Sequence, residues 1–248
     1  MRRAATVVLL SLLALAAGAA PAAAARPEKG IDVSRFQGKI KWQRVADDGI
    51  DFAFVQASRG SGGDCAVAPD DCGADGQYER SYGLAREAGI RVGAYHRAFA
   101  GGGGRKRTQR DARKESRLFV DVVGSLRDGD LLPALDLETP FGGLSQKELR
   151  RWVRVWLDRV QKKLGEKPII YTNTTSWNAT GDTRKFARAG HHLWVANWGV
   201  KKPSVPAGNW DGEGWSVWQH TSSGRVKGID GNVDLNRLRV DLSRISAR

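Results

Sequence analysis

Leu132-Pro133-Ala134-Leu135-Asp136-Leu137-Glu138 is an apolar run that ends in two carboxylic acids two residues apart. In a β-strand alternate side chains share a face, so Asp136 and Glu138 would point the same way from Cα atoms about 6.5–7 Å apart. Like charges that close repel each other unless both are solvated or one carboxyl stays protonated. A protonated carboxyl held beside an ionised one is the equipment of acid-catalysed glycoside cleavage. A strand running out into a solvated acidic turn has the same spacing, so the surroundings of the motif must separate the two readings.

The elements that would position the pair form a repeating pattern of short strand, loop and helix. Strands are expected at 31–33, 52–56, 91–95, 131–137, 168–171, 193–196, 216–219 and 232–235, and helices at 42–48, 79–88, 108–123 and 146–164. Gly49, Gly89 and Gly124 supply left-handed helix ends, and Ser145 with Glu148 makes a capping box for the last helix. In that helix Leu149, Trp152, Val153, Trp156, Val160 and Leu164 fall on one face, so Trp152 and Trp156 are expected in the core. Strands alternating with helices imply parallel βα units. Eight of them suit a modified (β/α) barrel, with helices reduced in the second half because the helical spacers fade after Tyr171. The glycines at 101–104 lack the Gly-Lys-Ser/Thr ending of a phosphate loop and read as a flexible loop.

Barrel enzymes gather their chemistry at the carboxyl ends of strands. The groups expected there are Asp32, Gln56, Ser58, Tyr95, His96, Asp136 and Glu138, then Tyr171, Asn173, Asn197, Trp198, Gln219, His220, Asp234 and Asn236. Nine tryptophans fit sugar recognition, since flat apolar ring faces stack on indoles while carboxylates and amides bind hydroxyls. Trp194, Trp198, Trp215 and Trp218 could serve either the core or such a site.

Arg2 and Arg3 precede an uncharged run at 7–20 and then Ala23-Ala24-Ala25, the pattern of a secretory signal peptide over 1–25. The run is too short and too diluted by Ala and Gly for a membrane anchor. A single catalytic barrel domain over 26–248 is expected, exported and monomeric. In an oxidising compartment Cys65 and Cys72, set in a Gly/Asp/Pro-rich stretch, are expected to form a disulfide; their spacing is too long for a zinc knuckle and no histidine lies beside them. The formal charge of +13 falls by two when Arg2 and Arg3 leave with the leader. Such a surplus attracts polyanions. For an exported chain with no nucleic-acid motif, the expected partner is the cell wall rather than nucleic acid.

The chain resembles the family 25 glycoside hydrolases, the Chalaropsis-type lysozymes. The resemblance rests on strings in order: Gly30-Ile31-Asp32-Val33-Ser34-Arg35-Phe36-Gln37-Gly38, Phe52-Ala53-Phe54-Val55, Gly93-Ala94-Tyr95-His96, Pro133 through Glu138, Ile170-Tyr171-Thr172, Leu193-Trp194-Val195-Ala196, and Trp218-Gln219 leading to Val233-Asp234-Leu235-Asn236. It implies hydrolysis of the β-1,4 bond between N-acetylmuramic acid and N-acetylglucosamine in peptidoglycan, without metal or cofactor. By position, Glu138 would be the general acid. Asp136 would stabilise developing positive charge or orient the acetamido group, with Asp32 and Asp234 completing an acidic cluster. Tyr95 and Tyr171 would line the cleft, with Trp194, Asn197 and Gln219 as further substrate contacts.

Two departures stand out. Where the family's second strand commonly reads Lys-Ala-Thr-Glu-Gly, this chain has Gln56-Ala57-Ser58-Arg59-Gly60, and Arg97 takes the place of an aromatic after Tyr95-His96. Both bear on substrate detail rather than on the carboxylates. Rival functions are a hydrolase of another β-1,4 glycan such as chitin and a non-catalytic wall-binding barrel; retention of all four acids speaks against the second.

Overall fold

The computed structural model describes residues 27–61 and 72–248. The expected leader and Cys65, one half of the expected disulfide, fall outside these residues. Among the described residues no helix is long and apolar enough to cross a membrane.

The architecture is a closed eight-stranded barrel. Its strands are β1 (Lys29–Val33), β2 (Phe52–Arg59), β4 (Arg91–Arg97), β5 (Ala134–Asp136), β6 (Ile169–Thr172), β7 (Leu193–Ala196), β8 (Val217–Gly224) and β9 (Val233–Leu238). A two-residue strand not foreseen from sequence, β3 (Gly73–Ala74), is added antiparallel to β2. Strands run parallel from β1 through β2 and β4 to β8, whereas β9 is antiparallel to both β8 and β1 and closes the ring. Gly30 is needed at that closure because the Phe52 ring of the neighbouring strand occupies its side-chain space: a Cβ there would lie 2.2 Å from the ring.

The period of two in each strand sorts side chains into two apolar layers. Inside the ring lie Phe52, Phe54, Tyr95, Ala134, Ile169, Tyr171, Trp194 and Val217, sealed at the amino end of the strands by Leu131, Leu132, Leu242 and Ile245. The last two belong to a 3-10 turn, Leu242–Ile245, pinned where Leu132 N donates to Ile245 O at 2.8 Å and Ala247 N to Asp130 O at 2.7 Å. Outside the ring, Ile31, Val33, Ala53, Val55, Leu135, Leu137 and Val195 meet the helices.

Four helices follow the early strands: α1 (Trp42–Asp47), α2 (Tyr78–Glu87), α3 (Arg105–Val123) and α4 (Gln146–Leu164). The expected capping box is present, with Ser145 N donating to Glu148 Oε2 at 3.0 Å and Glu148 N to Ser145 Oγ at 3.4 Å. Trp152 and Trp156 are fully buried, and Trp152 Nε1 donates to Asp111 Oδ2 at 2.7 Å, tying α4 to α3. The tetraglycine before α3 is a fitted turn: Gly101 N also donates to Asp111 Oδ2, and a Cβ on Gly102 would sit 2.7 Å from Thr108 N.

Helices shorten after β6, as expected, to α5 (Thr174–Asn178) and α6 (Lys185–Arg188). The next turn, Pro206–Asp211, is left-handed, with φ of 53–60° at Ala207, Gly208, Asn209 and Trp210. Such a conformation costs roughly 1–2 kcal/mol per non-glycine residue. Here it is clamped by Trp210 Nε1 donating to His191 O at 2.7 Å and by two Arg188–Asp211 hydrogen bonds at 3.0 and 3.1 Å.

Candidate active site

The carboxyl ends of the strands surround a cavity of about 240 Å³ lined by Asp32, Asp136, Glu138 and Asp234 together with Tyr95, Tyr171, Trp194 and Gln219. Alternation explains the gathering. Asp32, Tyr95, Asp136 and Gln219 each occupy the inward phase of a strand whose outward phase carries Ile31, Ala94, Leu135 or Trp218. Glu138 lies two residues past Asp136 and keeps its phase. Its segment is anchored by Leu137 N to Tyr171 O at 2.9 Å, Thr172 Oγ1 to Leu137 O at 2.8 Å and Thr139 N to Ser176 Oγ at 3.1 Å.

Asp32 is the most constrained acid. Gln219 Nε2 donates to both its oxygens at 3.1 and 3.0 Å, and Asn236 Nδ2 donates to Oδ2 at 2.7 Å. The amides are themselves fixed: Gln219 Oε1 accepts from Tyr171 Oη at 3.0 Å and Trp198 Nε1 at 2.9 Å, and Asn236 Oδ1 accepts from Trp194 Nε1 at 2.7 Å. Burial, then the neighbouring Asp234, raises the Asp32 carboxyl well above the ordinary carboxylate range, against the pull of those donors. Asp234, its cross-strand partner, is also raised by burial, while the hydrogen bond it shares with Asp32 pulls the other way. Both members of this pair are thus held above the ordinary carboxylate range, as two acids buried side by side require.

The second pair is arranged differently. Asp136 is raised well above the usual range, first by burial, with Arg97 opposing and Glu138 reinforcing the shift. Its Oδ1 is buried without a hydrogen-bond partner. Arg97 Nε lies 3.7 Å from Asp136 Oδ2 and 3.4 Å from Glu138 Oε1, so one guanidinium faces both acids. The Glu138 side chain is 31 % exposed and that of Asp136 9 %, which makes Glu138 the member a bound molecule can reach. Tyr95 and Tyr171 are raised by burial and by the surrounding acids, so they remain phenols and can only donate or accept hydrogen bonds. A cleft of this kind can protonate an oxygen at its mouth and surround nascent positive charge with carboxylates.

The profile of the glycosyl hydrolases family 25 matches residues 31–229. The chain belongs to that family. It is 33 % identical over 225 residues to lysozyme M1 of Streptomyces globisporus, covering 88 % of this chain and 70 % of that protein. It is 38 % identical over 214 residues to the uncharacterized protein YegX of Escherichia coli strain K12, covering 84 % and 68 %. Among solved structures, the bacterial lysozyme from Streptomyces coelicolor superposes with a TM-score of 0.74 at 31 % identity, covering 88 % of this chain and 95 % of the other. The protein is accordingly a glycoside hydrolase of the muramidase type on the family 25 barrel.

Not every strand-end residue of this family 25 member turns inward. Asn197 is outside the cavity lining: its Oδ1 accepts from Ser204 N at 2.7 Å and its backbone oxygen from Trp218 Nε1 at 2.9 Å, so it braces a loop. Ser58 and His96 are fully buried on the outer face, where Ser58 Oγ lies 2.8 Å from His96 Nδ1. The tryptophans divide. Trp194 floors the cavity, stacked on Phe54 at 4.4 Å, Trp218 is buried outside the ring, and Trp198 is 52 % exposed.

Phe36, Gln37, Arg59 and Arg97 also line the cavity. Nothing in strand alternation alone places Arg59 there. A register shift between Gln56 and Ser58 inserts an extra residue into β2, so Gln56 pairs with Tyr95 but Ser58 with His96 and Arg59 with Arg97. This bulge reverses the phase and turns Arg59 inward.

Proposed function

We propose that this protein is a secreted muramidase that hydrolyses the β-1,4 bond between N-acetylmuramic acid and N-acetylglucosamine of peptidoglycan, with Glu138 as general acid. The observation that carries this reading is the Asp136–Glu138 pair facing one guanidinium at the mouth of the acid-lined cleft. Asp136 and Glu138 hold a proton between them, favoured by the burial of Asp136. Passing it through Glu138 to the departing oxygen leaves both groups ionised around the positive charge that develops on the sugar. Asp136, which that proton transfer leaves ionised, stabilises the charge or orients the acetamido group, and the Asp32–Asp234 pair closes the opposite side. Tyr95, Tyr171, Trp194 and Gln219 hold the sugar, and no metal or cofactor is required.

The reading extends to the chain's setting. Residues 1–25 serve as a signal peptide, Cys65 and Cys72 form a disulfide, and the protein works as a monomer on the cell wall. Incubation with purified peptidoglycan, followed by mass analysis of the fragments, tests the bond assignment. Products ending in reducing N-acetylmuramic acid are expected. Products ending in reducing N-acetylglucosamine, or faster turnover of chitin oligosaccharides than of glycan strands, would overturn it.

A further inference from the structure

Most of the chain's excess positive charge sits on two neighbouring helices. Together α3 and α4 carry fourteen Lys and Arg against five acids, a surplus of nine, where the whole chain without Arg2 and Arg3 has a surplus of eleven. Three of the five acids are taken up by the fold: Glu115 is buried, Asp111 accepts from Gly101 N and Trp152 Nε1, and Glu148 closes the capping box. The cations instead turn outward. Lys106, Arg110, Arg113 and Arg117 follow one another at intervals of four, three and four residues on α3, and all are exposed. Lys147, Arg151 and Arg154 repeat intervals of four and three on α4. Residues so spaced share a helix face, and their charges recur about every 5.4 Å along it.

The surface beside α4 is hollowed. A cavity of about 430 Å³ is lined by Lys147, Arg150, Arg151 and Arg154 of α4, with Gln109 of α3 on one side and Lys185 of α6 on the other, and no acid is in its lining. Two of these cations already have tasks in the fold: Arg150 Nη1 donates to Thr180 O, and Arg151 acts on Glu148 of the capping box. Lys147, Arg154 and Lys185 are exposed, and among the described residues none of the three pairs with an acid. Like charges at helical spacing destabilise the helix that bears them. The array therefore contributes nothing to the stability of the fold. What it lacks narrows what it can face. The large exposed apolar side chains of the described residues are Phe36, Trp198 and Val200, none of them on these helices. The surface thus has no wedge for a lipid bilayer and no ring on which an unpaired base could stack.

We propose that the outer faces of α3 and α4, with the cavity beside α4, dock the protein on a phosphodiester-linked polymer of the cell wall. Cations at a close and regular interval suit a flexible chain with an anion in every short unit. Phosphodiesters meet that description, and their paired oxygens match the planar fork of a guanidinium. The choice of a wall polymer rests on the muramidase reading, whereas the array itself does not. None of the residues around the basic cavity lines the acid-lined cleft. Docking and cleavage therefore use separate surfaces, and the first holds the barrel near its glycan while the second works on it.

Binding of protein carrying Glu138→Gln, which prevents turnover, tests the surface. The probes are purified walls, the same walls stripped of phosphodiester-linked polymers with hydrofluoric acid, and soluble polyglycerol phosphate. An exposed contact between opposite charges contributes about twofold to fivefold in affinity, so Lys147→Gln, Arg154→Gln and Lys185→Gln together should weaken binding to intact walls and to the soluble polymer by about 10–100-fold. Stripped walls should be bound equally with and without these substitutions. Removing three exposed cations at the antiparallel seam instead, with Lys41→Gln, Arg44→Gln and Arg225→Gln, should cost less than about threefold. With Glu138 intact, the substitutions beside α4 should leave turnover of short soluble fragments unchanged. If the triple variant does not fold, the three single substitutions carry the comparison. Binding that stripping does not weaken, or equal losses from the two sets of substitutions, overturns the proposal. So does tighter binding to duplex DNA, or to vesicles of anionic phospholipid, than to polyglycerol phosphate at the same phosphate concentration. Failure of the muramidase reading has a separate signature, the absence of cleavage of stripped peptidoglycan by the unsubstituted protein.

Discussion

Glu115 and Asp136 are both buried carboxyls raised well above the ordinary range by burial, yet one braces the fold and the other lines the cleft. Glu115, on α3, has its Oε2 2.7 Å from His96 Nε2 and accepts from Phe99 N at 3.2 Å, and His96 reaches Ser58 through its other nitrogen. Burial drives His96 down to about 3, so the imidazole is neutral and its contact with Glu115 is a hydrogen bond rather than an ion pair. The ring is wedged between Trp156 at 5.6 Å and Phe119 at 6.0 Å. Ser58, His96 and Glu115 have the residue types of a catalytic triad, but all are sealed from solvent. Asp136 has an orphan oxygen, a cation and a second acid beside it, and a cleft above. A buried acid whose partners are complete is a strut. One left incomplete keeps its proton available for chemistry.

Substitutions can break this contrast. Glu138→Gln should show the largest effect, a ~10²–10⁴-fold loss of wall clearing with sugar binding retained; a loss below tenfold would move the acid role elsewhere. Glu115→Ala should act on stability instead. It strands His96 and the Phe99 N–H in the interior at about 1–3 kcal/mol, lowering the melting midpoint by roughly 2–4 °C per kcal/mol for a domain of this size. Its kcat should match that of the unsubstituted protein, and a fall in kcat without a fall in stability would place Glu115 in the chemistry.

Asp136→Asn should lose activity and gain stability. Because the folded-state pKa of Asp136 is raised, its favourable contribution is complete below the unfolded value near 3.8 and is lost as pH rises through the folded one. The variant's advantage in melting temperature should therefore be absent below about pH 4 and grow toward neutrality; an advantage independent of pH would mean that Asp136 is ionised in the folded protein. The smallest effect is expected for Glu115→Gln. If Glu115 is held as the neutral acid, an amide reproduces it and stability should change by less than about 1 kcal/mol. A cost equal to that of alanine, measured by denaturant unfolding, would mean the carboxylate form is needed.

Much of the arrangement was legible in sequence because period-two patterning and strand-end chemistry are local. Asp32, Asp136, Glu138 and Asp234 were placed by these rules, as were Tyr95, Tyr171 and Gln219. The rules fail where the phase breaks. Ser58 was expected at the cleft and faces the helices, while Arg59 does the reverse, because a bulge set by the pairing of β2 with β4 is invisible in β2 alone. Asn197 sits at a strand end, but its amide is claimed by the backbone of its own loop. The left-handed turn at Pro206–Asp211 left no trace, since four of its six residues are non-glycine residues at positive φ, and the turn depends on Asp182, Arg188 and His191 for support.

The antiparallel seam ties strands from opposite ends of the chain. Asp32 meets Asp234 in register, and the amide that grips Asp32 most closely is Asn236 of that same late strand. Closing so long a loop is entropically costly and slow. Because its two acids come from β1 and β9, this pair exists only where the ring is closed, so closing the barrel and building that side of the cleft are one and the same event.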